Sequence, residues 1–210
     1  VDAELTTKTK PRFVSRGGDK LEGALIDFKY SPADKICADV GASTGGFTDC
    51  LLQQGAAKVY AIDVGYGQLD YTLRTNPRVI SMERTNARYV ERLDDSIDLV
   101  VIDASFISLK LLLPVVKYWL NGHGDVIALI KPQFEAGRKD VGKGGVVRDH
   151  HIHERVLAET LQFAHENGFA IRGLTRSRLK GPAGNIEFLM WLRLGDEDSE
   201  PIETLIQRAM

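Results

Sequence analysis

Cysteine is scarce in this chain: only Cys37 and Cys50 occur among 210 residues. Two thiols make no disulfide framework, and they suit a reducing cytoplasm, where buried cysteines act as small hydrophobes. Long apolar runs are lacking as well. The most apolar region, residues 99–120, is broken by Asp103, Lys110, Pro114 and Lys117, which excludes a membrane-spanning helix there. No basic-plus-apolar targeting segment is recognised, so a cytoplasmic location is expected. The first residue is Val1 rather than Met, and a missing leading segment is expected. Nor is positive charge in excess: 27 Lys and Arg face 29 Asp and Glu. That balance speaks against a chain that coats nucleic acid indiscriminately.

The charge that is present is segregated. Residues 195–203 hold Asp196, Glu197, Asp198, Glu200 and Glu203 with no Lys or Arg, so the rest of the chain is net positive. Residues 172–180 hold Arg172, Arg176, Arg178 and Lys180 with no acid. Residues 131–148 hold Lys131, Arg138, Lys139, Lys143 and Arg148 against Glu135 and Asp140. Such local basic segments suit a phosphate backbone, or are merely solvated loops. Arg16, Arg138, Lys139, Arg176, Arg178 and Lys180 are the candidate RNA contacts, expected to form one basic rim.

Apolar periodicity divides the chain into an arm or linker at 1–16, one α/β domain at 17–195 and an acidic C-terminal tail at 196–210. Gly17 and Gly18 read as a break, with Asp19 capping a helix over 20–28. Strands are predicted at 36–40, 58–64, 78–82, 98–103, 125–130, 169–177 and 186–194. Helices are predicted near 47–54, at 108–120 and at 151–167, where Gly168 is the stop. Residues 203–209 read as a surface helix or a frayed end. Strands alternating with helices imply a mostly parallel sheet covered on both faces, a Rossmann-like seven-stranded fold whose last strand is antiparallel.

The run Asp39-Val40-Gly41-Ala42-Ser43-Thr44-Gly45-Gly46-Phe47 follows the first core strand and opens a helix. Glycines there let the backbone approach a ligand, and helix amides face its polar end. Asp63 closes the second strand, where a carboxylate grips ribose hydroxyls. Two details favour S-adenosylmethionine over a dinucleotide. Ser43 replaces the middle glycine of Gly-x-Gly-x-x-Gly, and Asp39 stands two residues before Gly41. A carboxylate there attracts the ammonium of S-adenosylmethionine but repels a pyrophosphate. Gly41, Ser43, Thr44, Gly45, Gly46, Phe47, Asp39, Asp63, Asn86 and Asp103 are therefore the candidate cofactor contacts. Asn86 belongs to Arg84-Thr85-Asn86, placed after the third strand where an adenine pocket is expected. A tight turn with no ligand is the plain alternative.

Four charged residues stand at elements that meet on the active edge of such a sheet. Lys20 starts the first helix, Asp103 and Lys131 end adjacent strands, and Glu187 opens a strand running the other way. Methyl transfer to a ribose hydroxyl needs alignment and a group that takes the hydroxyl proton. A lysine serves when burial and neighbouring cations favour its neutral form. Lys131 is the expected base, oriented by Asp103, with Lys20 and Glu187 completing the frame. A structural salt bridge between Lys131 and Asp103 is the plain alternative.

The runs Ser15-Arg16-Gly17-Gly18-Asp19-Lys20-Leu21, Asp103-Ala104-Ser105-Phe106-Ile107-Ser108, Lys131-Pro132-Gln133-Phe134-Glu135 and Gly184-Asn185-Ile186-Glu187, with the glycine turn, resemble the TlyA family. Its members are often labelled hemolysins but are similar to FtsJ-type RNA 2′-O-methyltransferases. The resemblance spans residues 11–193. It implies a catalytic tetrad, here Lys20, Asp103, Lys131 and Glu187. It also implies 2′-O-methylation of cytidine in 16S and 23S rRNA, with ribosomal RNA or ribosomal subunits as partners. Such proteins usually carry a small N-terminal RNA-binding domain of ribosomal-protein type, expected to be missing here, which would weaken rRNA recognition.

Two rival readings remain open at this point. One is a membrane-active hemolysin, suggested only by the family label; the other is a cofactor-binding module without activity. His150-His151-Ile152-His153-Glu154 invites a metal, but these residues cannot all face one ion, and a helix start on the solvent face is expected instead. The glycines within 135–149 read as a lid over RNA or as a plain loop.

Overall fold

A computed structural model describes residues 11–195 and 199–210. Residues 1–10 of the expected arm and residues 196–198 of the expected acidic tail therefore lie outside the described residues. Seven strands form one sheet: β1 (Ile36–Val40), β2 (Lys58–Ile62), β3 (Val79–Met82), β4 (Leu99–Ile102), β5 (Gly124–Ile130), β6 (Phe169–Arg176) and β7 (Phe188–Leu194). Their order is β3-β2-β1-β4-β5-β7-β6. The first five run parallel, and β7 lies antiparallel between β5 and β6. This is the α/β architecture expected from the alternation of strands and helices.

The strands are apolar because both faces are covered. Along β1, Cys37 points to one core and Ala38 and Val40 to the other; along β4, Leu99 and Val101 alternate likewise with Val100 and Ile102. One core lies under α1 (Gly17–Phe28), α2 (Gly46–Gln53) and α3 (Tyr71–Arg74). The other lies under α4 (Leu113–Trp119), α6 (His150–Glu166) and α7 (Ile202–Ala209). A short α5 (Pro132–Glu135) follows β5 directly.

Several local expectations are corrected. Asp19 does not cap α1; the helix begins at Gly17, with Arg16 at the N-cap. Gly18 is no break but a contact, since a Cβ there would lie 2.3 Å from the Phe13 ring. Phe13 is thereby buried in the core beside α1, so residues 11–16 pack rather than trail. The helix expected over 108–120 is split into a 3₁₀ turn (Leu109–Leu111) and α4. Ser108 caps the turn, and Pro114 sits in the first turn of α4, where a missing N–H costs little. Helix α7 is neither frayed nor loose: Leu205 and Ala209 are buried in the core it shares with α6 and β6. His153 turns inward from α6 and is 1% exposed, contrary to the solvent face expected for it.

The order of the sheet reverses between β1 and β4. In open α/β sheets this switch point opens a crevice at the carboxyl ends of the strands.

Candidate active site

Two adjoining clefts occupy that crevice. The first, of about 810 Å³, is lined by Gly41, Ser43, Asp63, Asn86, Asp103 and Phe106, among others. Gly41 adopts φ +84°, and a Cβ there would lie 2.8 Å from the carbonyl oxygen of Asp103. Only glycine meets both demands, so this position lets the turn after β1 approach the loop after β4. Asp63 holds the other side of the turn. Its Oδ2 accepts from the Ser43 amide and its Oδ1 from the Gly65 amide, each at 2.7 Å. A carboxylate has about four acceptor positions, so two such bonds leave capacity facing the cleft. Asn86 accepts from the Arg88 amide at 3.1 Å and starts a 3₁₀ turn at the cleft wall.

Two expected cofactor contacts line neither of the two clefts. A Cβ at Gly45 would strike Leu73 and Leu69, so this glycine serves the packing of α2 against α3. Asp39 is fully buried beneath the turn and lines neither cleft. Thr48 Oγ1 donates to its Oδ2 at 2.6 Å, while its Oδ1 has no hydrogen-bond partner among the described residues. Burial pushes the Asp39 carboxyl up to about 7; the Thr48 bond opposes the shift, and Asp103 and Asp63 add to it.

The second cleft, of about 480 Å³, is lined by Thr44, Gly46 and Phe47 from the glycine turn, and by Lys20, Asp103, Lys131 and Glu187. The four residues expected at the site thus share one cleft. They do so as two ion pairs. Lys131 Nζ lies 2.6 Å from Asp103 Oδ1, and Lys20 Nζ lies 2.5 Å from Glu187 Oε2. Lys20, Lys131 and Glu187 are buried. Lys20 reaches the cleft because α1 crosses α2 closely: a Cβ at Gly46 would lie 2.9 Å from the Gly18 amide. Asp103 and Lys131 follow β4 and β5, paired in register from Leu99 with Asp125 to Ile102 with Ala128. Glu187 enters from the turn before β7, where Gly181 leaves it room.

Some residues of the site carry little signal in the sequence. Lys131 also donates to Ser105 Oγ at 2.8 Å. Glu135 accepts from Ser108 Oγ at 2.6 Å and from the Leu109 amide at 2.8 Å. Ser105 lies two residues after Asp103, and Glu135 stands one helical turn after Lys131, both within runs that carry the family resemblance, but neither spacing gives its partner. Asn185 ties the expected lid to the turn bearing Glu187: it accepts from the Val147 amide and donates to the Gly145 carbonyl.

The basic residues divide. Arg16 and Lys180 line the second cleft, where Arg16 donates to the Lys180 carbonyl at 3.3 Å. Arg178 instead pairs with Asp27 at 2.7 Å, and Arg176 donates to the Met210 carbonyl. Arg138 and Lys139 are exposed on the loop before α6 and line neither cleft.

Residues 13–194 match the family model described as FtsJ-like methyltransferase. A Bacillus subtilis protein named as a candidate rRNA methyltransferase, YqxC, is 50% identical over 216 residues, covering 100% of this chain and 77% of that one. The 16S/23S rRNA (cytidine-2′-O)-methyltransferase TlyA of Mycobacterium tuberculosis is 44% identical, covering 98% of this chain and 79% of its own. A solved structure described as a candidate hemolysin from Streptococcus thermophilus superposes with a TM-score of 0.89 at 47% identity, covering 96% of this chain and 76% of that one. The family match runs from the segment before α1 through β7 and takes in both clefts, and on it the chain belongs to the FtsJ-like methyltransferase family.

Proposed function

We propose that this protein transfers a methyl group from S-adenosylmethionine to a ribose 2′-hydroxyl of ribosomal RNA, at cytidine as in the 16S/23S enzyme it resembles. The observation that carries this reading is the convergence of two lysine–carboxylate pairs in one cleft beside the glycine turn. The first cleft suits the cofactor. Gly41 removes side-chain bulk from its floor, and Asp63 retains acceptor capacity for two ribose hydroxyls. Asn86 and Ile107 line the same cleft, and the adenine base is assigned to them. Bound there, S-adenosylmethionine supplies an electrophilic methyl group on a sulfonium.

The chain's own residues do the rest. Lys131, in its amine form, takes the proton of the ribose hydroxyl at Nζ. Asp103 holds that nitrogen in place and stabilises the ammonium that results. Lys20 and Glu187, which line the same cleft, complete the frame around the ribose. Arg16 and Lys180 at the rim meet RNA phosphates, with Arg138 and Lys139 on the neighbouring loop. A ribosomal substrate puts this activity in the cytoplasm.

The hemolysin label borne by several relatives asks for a membrane. Among the described residues no helix is long and apolar enough to cross one. The deciding experiment is transfer of labelled methyl from S-adenosylmethionine to purified ribosomal subunits, followed by nucleoside analysis, with liposome leakage measured in parallel. Labelled 2′-O-methylcytidine is the expected product. Leakage without methyl transfer would overturn the reading.

A further inference from the structure

The two clefts share four residues, Gly41, Ser43, Asp103 and Ser105. Only Asp103 and Ser105 of these touch Lys131. A methyl group passing from a donor in one cleft to an acceptor in the other must cross at this junction. Ser105 is therefore at the transfer point, and it is exposed there while Lys131 beneath it is buried.

The loop that carries Ser105 is clamped at both ends by one short stretch of chain. Lys131 holds its start through Asp103 Oδ1. Glu135, at the end of α5, holds its finish through Ser108 Oγ and the Leu109 amide. Between the clamps Phe106 adopts φ +63°, a left-handed conformation that is unfavourable for a residue with a Cβ. Without the clamps that turn would relax, so the placement of Ser105 is imposed by its surroundings.

We propose that Ser105 is a positioning residue for methyl transfer, aiming the lone pair of Lys131 into the junction of the two clefts. The chemistry follows from a tetrahedral amine. As a base, Lys131 carries two N–H bonds and one lone pair. Asp103 Oδ1 and Ser105 Oγ take these two N–H bonds, at 2.6 and 2.8 Å, while the contact of the ammonium to the Asp103 carbonyl, the longest at 3.4 Å, is given up. The lone pair then takes the corner that contact leaves. The ribose hydroxyl proton moves to that lone pair as its oxygen bonds the methyl carbon and the carbon–sulfur bond breaks toward sulfur. Ser105 neither gains nor loses a proton. Without Ser105 the amine turns about its own axis, and productive geometry becomes one of several.

This inference rests on the proposed ribose methylation. Ser105→Ala, Ser105→Thr and wild type are compared in transfer of labelled methyl to ribosomal subunits across pH, with cofactor affinity and thermal unfolding measured on each protein. In Ser105→Ala, kcat is expected to fall roughly 10-fold to 100-fold, the cost of a small misalignment, with KM for the subunits and cofactor affinity nearly unchanged. The rising limb of its pH–rate profile moves to lower pH, since the ammonium form loses an acceptor. Ser105→Thr, which keeps the hydroxyl, recovers most of the rate. A Ser105→Ala enzyme with wild-type kcat and an unmoved limb overturns the inference. So does an equal loss in Ala and Thr with the limb unmoved, which marks a packing role alone. Wild-type protein that methylates no ribose hydroxyl overturns the proposed function itself, and is distinguished by being blind to Ser105.

Discussion

Lys20 and Glu187, 167 positions apart in the chain, form an ion pair at 2.5 Å whose two side chains are 9% and 1% exposed. A buried pair is costly to break from one side, because the survivor keeps its charge without a partner. Lys20→Ala is therefore expected to lower stability by about 3–5 kcal/mol as well as activity. Replacing both partners, as Lys20→Met with Glu187→Gln, should restore most of the melting temperature while methyl transfer stays low. Calorimetric unfolding and labelled transfer on the same samples separate the two effects. A double variant that regains both would make the pair structural only.

Lys131 faces a different test, since its partner Asp103 is 22% exposed and water helps to solvate it after the lysine is lost. Lys131→Ala should keep its fold and cofactor affinity. Methyl transfer should drop by roughly 10²-fold or more, and the rate should no longer climb with pH. A variant that unfolds instead would favour the salt-bridge reading. One that methylates at nearly the wild-type rate would remove Lys131 from the mechanism.

Asp63 joins two strands' worth of loop, since one carboxylate receives the Ser43 and Gly65 amides. Asp63→Ala should weaken S-adenosylmethionine by about tenfold or more, because both the ligand acceptor and the shape of the turn are lost. Isothermal titration measures this directly. Unchanged affinity would mean that the cleft binds its ligand some other way.

The buried Asp39 gives a pH prediction with a definite sign. Its folded-state pKa, about 7, lies above the ordinary aspartate value of 3.8. The native state thus holds a proton that the unfolded chain has released. The stabilisation is complete below the unfolded value and is lost as pH rises through about 7. A rise from 3.8 to about 7 corresponds to at most about 4 kcal/mol. Asp39→Asn should flatten stability between pH 4 and pH 7 and leave the ligand-free protein more stable at pH 8. Thermal melts of both proteins across that range would show whether the slope disappears.

RNA binding should single out the residues at the cleft. Reversing Arg16 and Lys180 is expected to weaken binding to an rRNA fragment and to lower the salt slope by about one for each phosphate no longer neutralised. Reversing Arg178 should do less, because its guanidinium is already engaged by Asp27. Filter binding at several salt concentrations decides between them. Equal effects from both changes would restore the single continuous rim.

Much of the fold is legible in the sequence because its signals are local. A strand covered on both faces needs an unbroken apolar run such as residues 99–102, and a helix needs a stripe such as Val156, Leu157 and Leu161. The alternation of the two implies a mostly parallel sheet. The carboxyl ends of its strands dictate where Asp103 and Lys131 stand. The family resemblance completes the set with Lys20 and Glu187. What no spacing encodes is where a side chain ends when distant elements pack. Asp39 is expected at the ligand, yet its alternation along β1 turns it into the core under α2, where Thr48 meets it. Gly45 is grouped with its neighbours by sequence, but its φ of +97° aims it at Leu69 and Leu73. Arg178 counts as free charge until β6 comes to lie beside α1 and Asp27. Ser105 acquires its partner only when β4 and β5 pair in register and bring Lys131 Nζ within 2.8 Å of its hydroxyl. Periodicity and burial are properties of a segment and its neighbours along the chain. The partner of a charged or polar group is decided by register and crossing between elements far apart in sequence, which only the folded sheet determines.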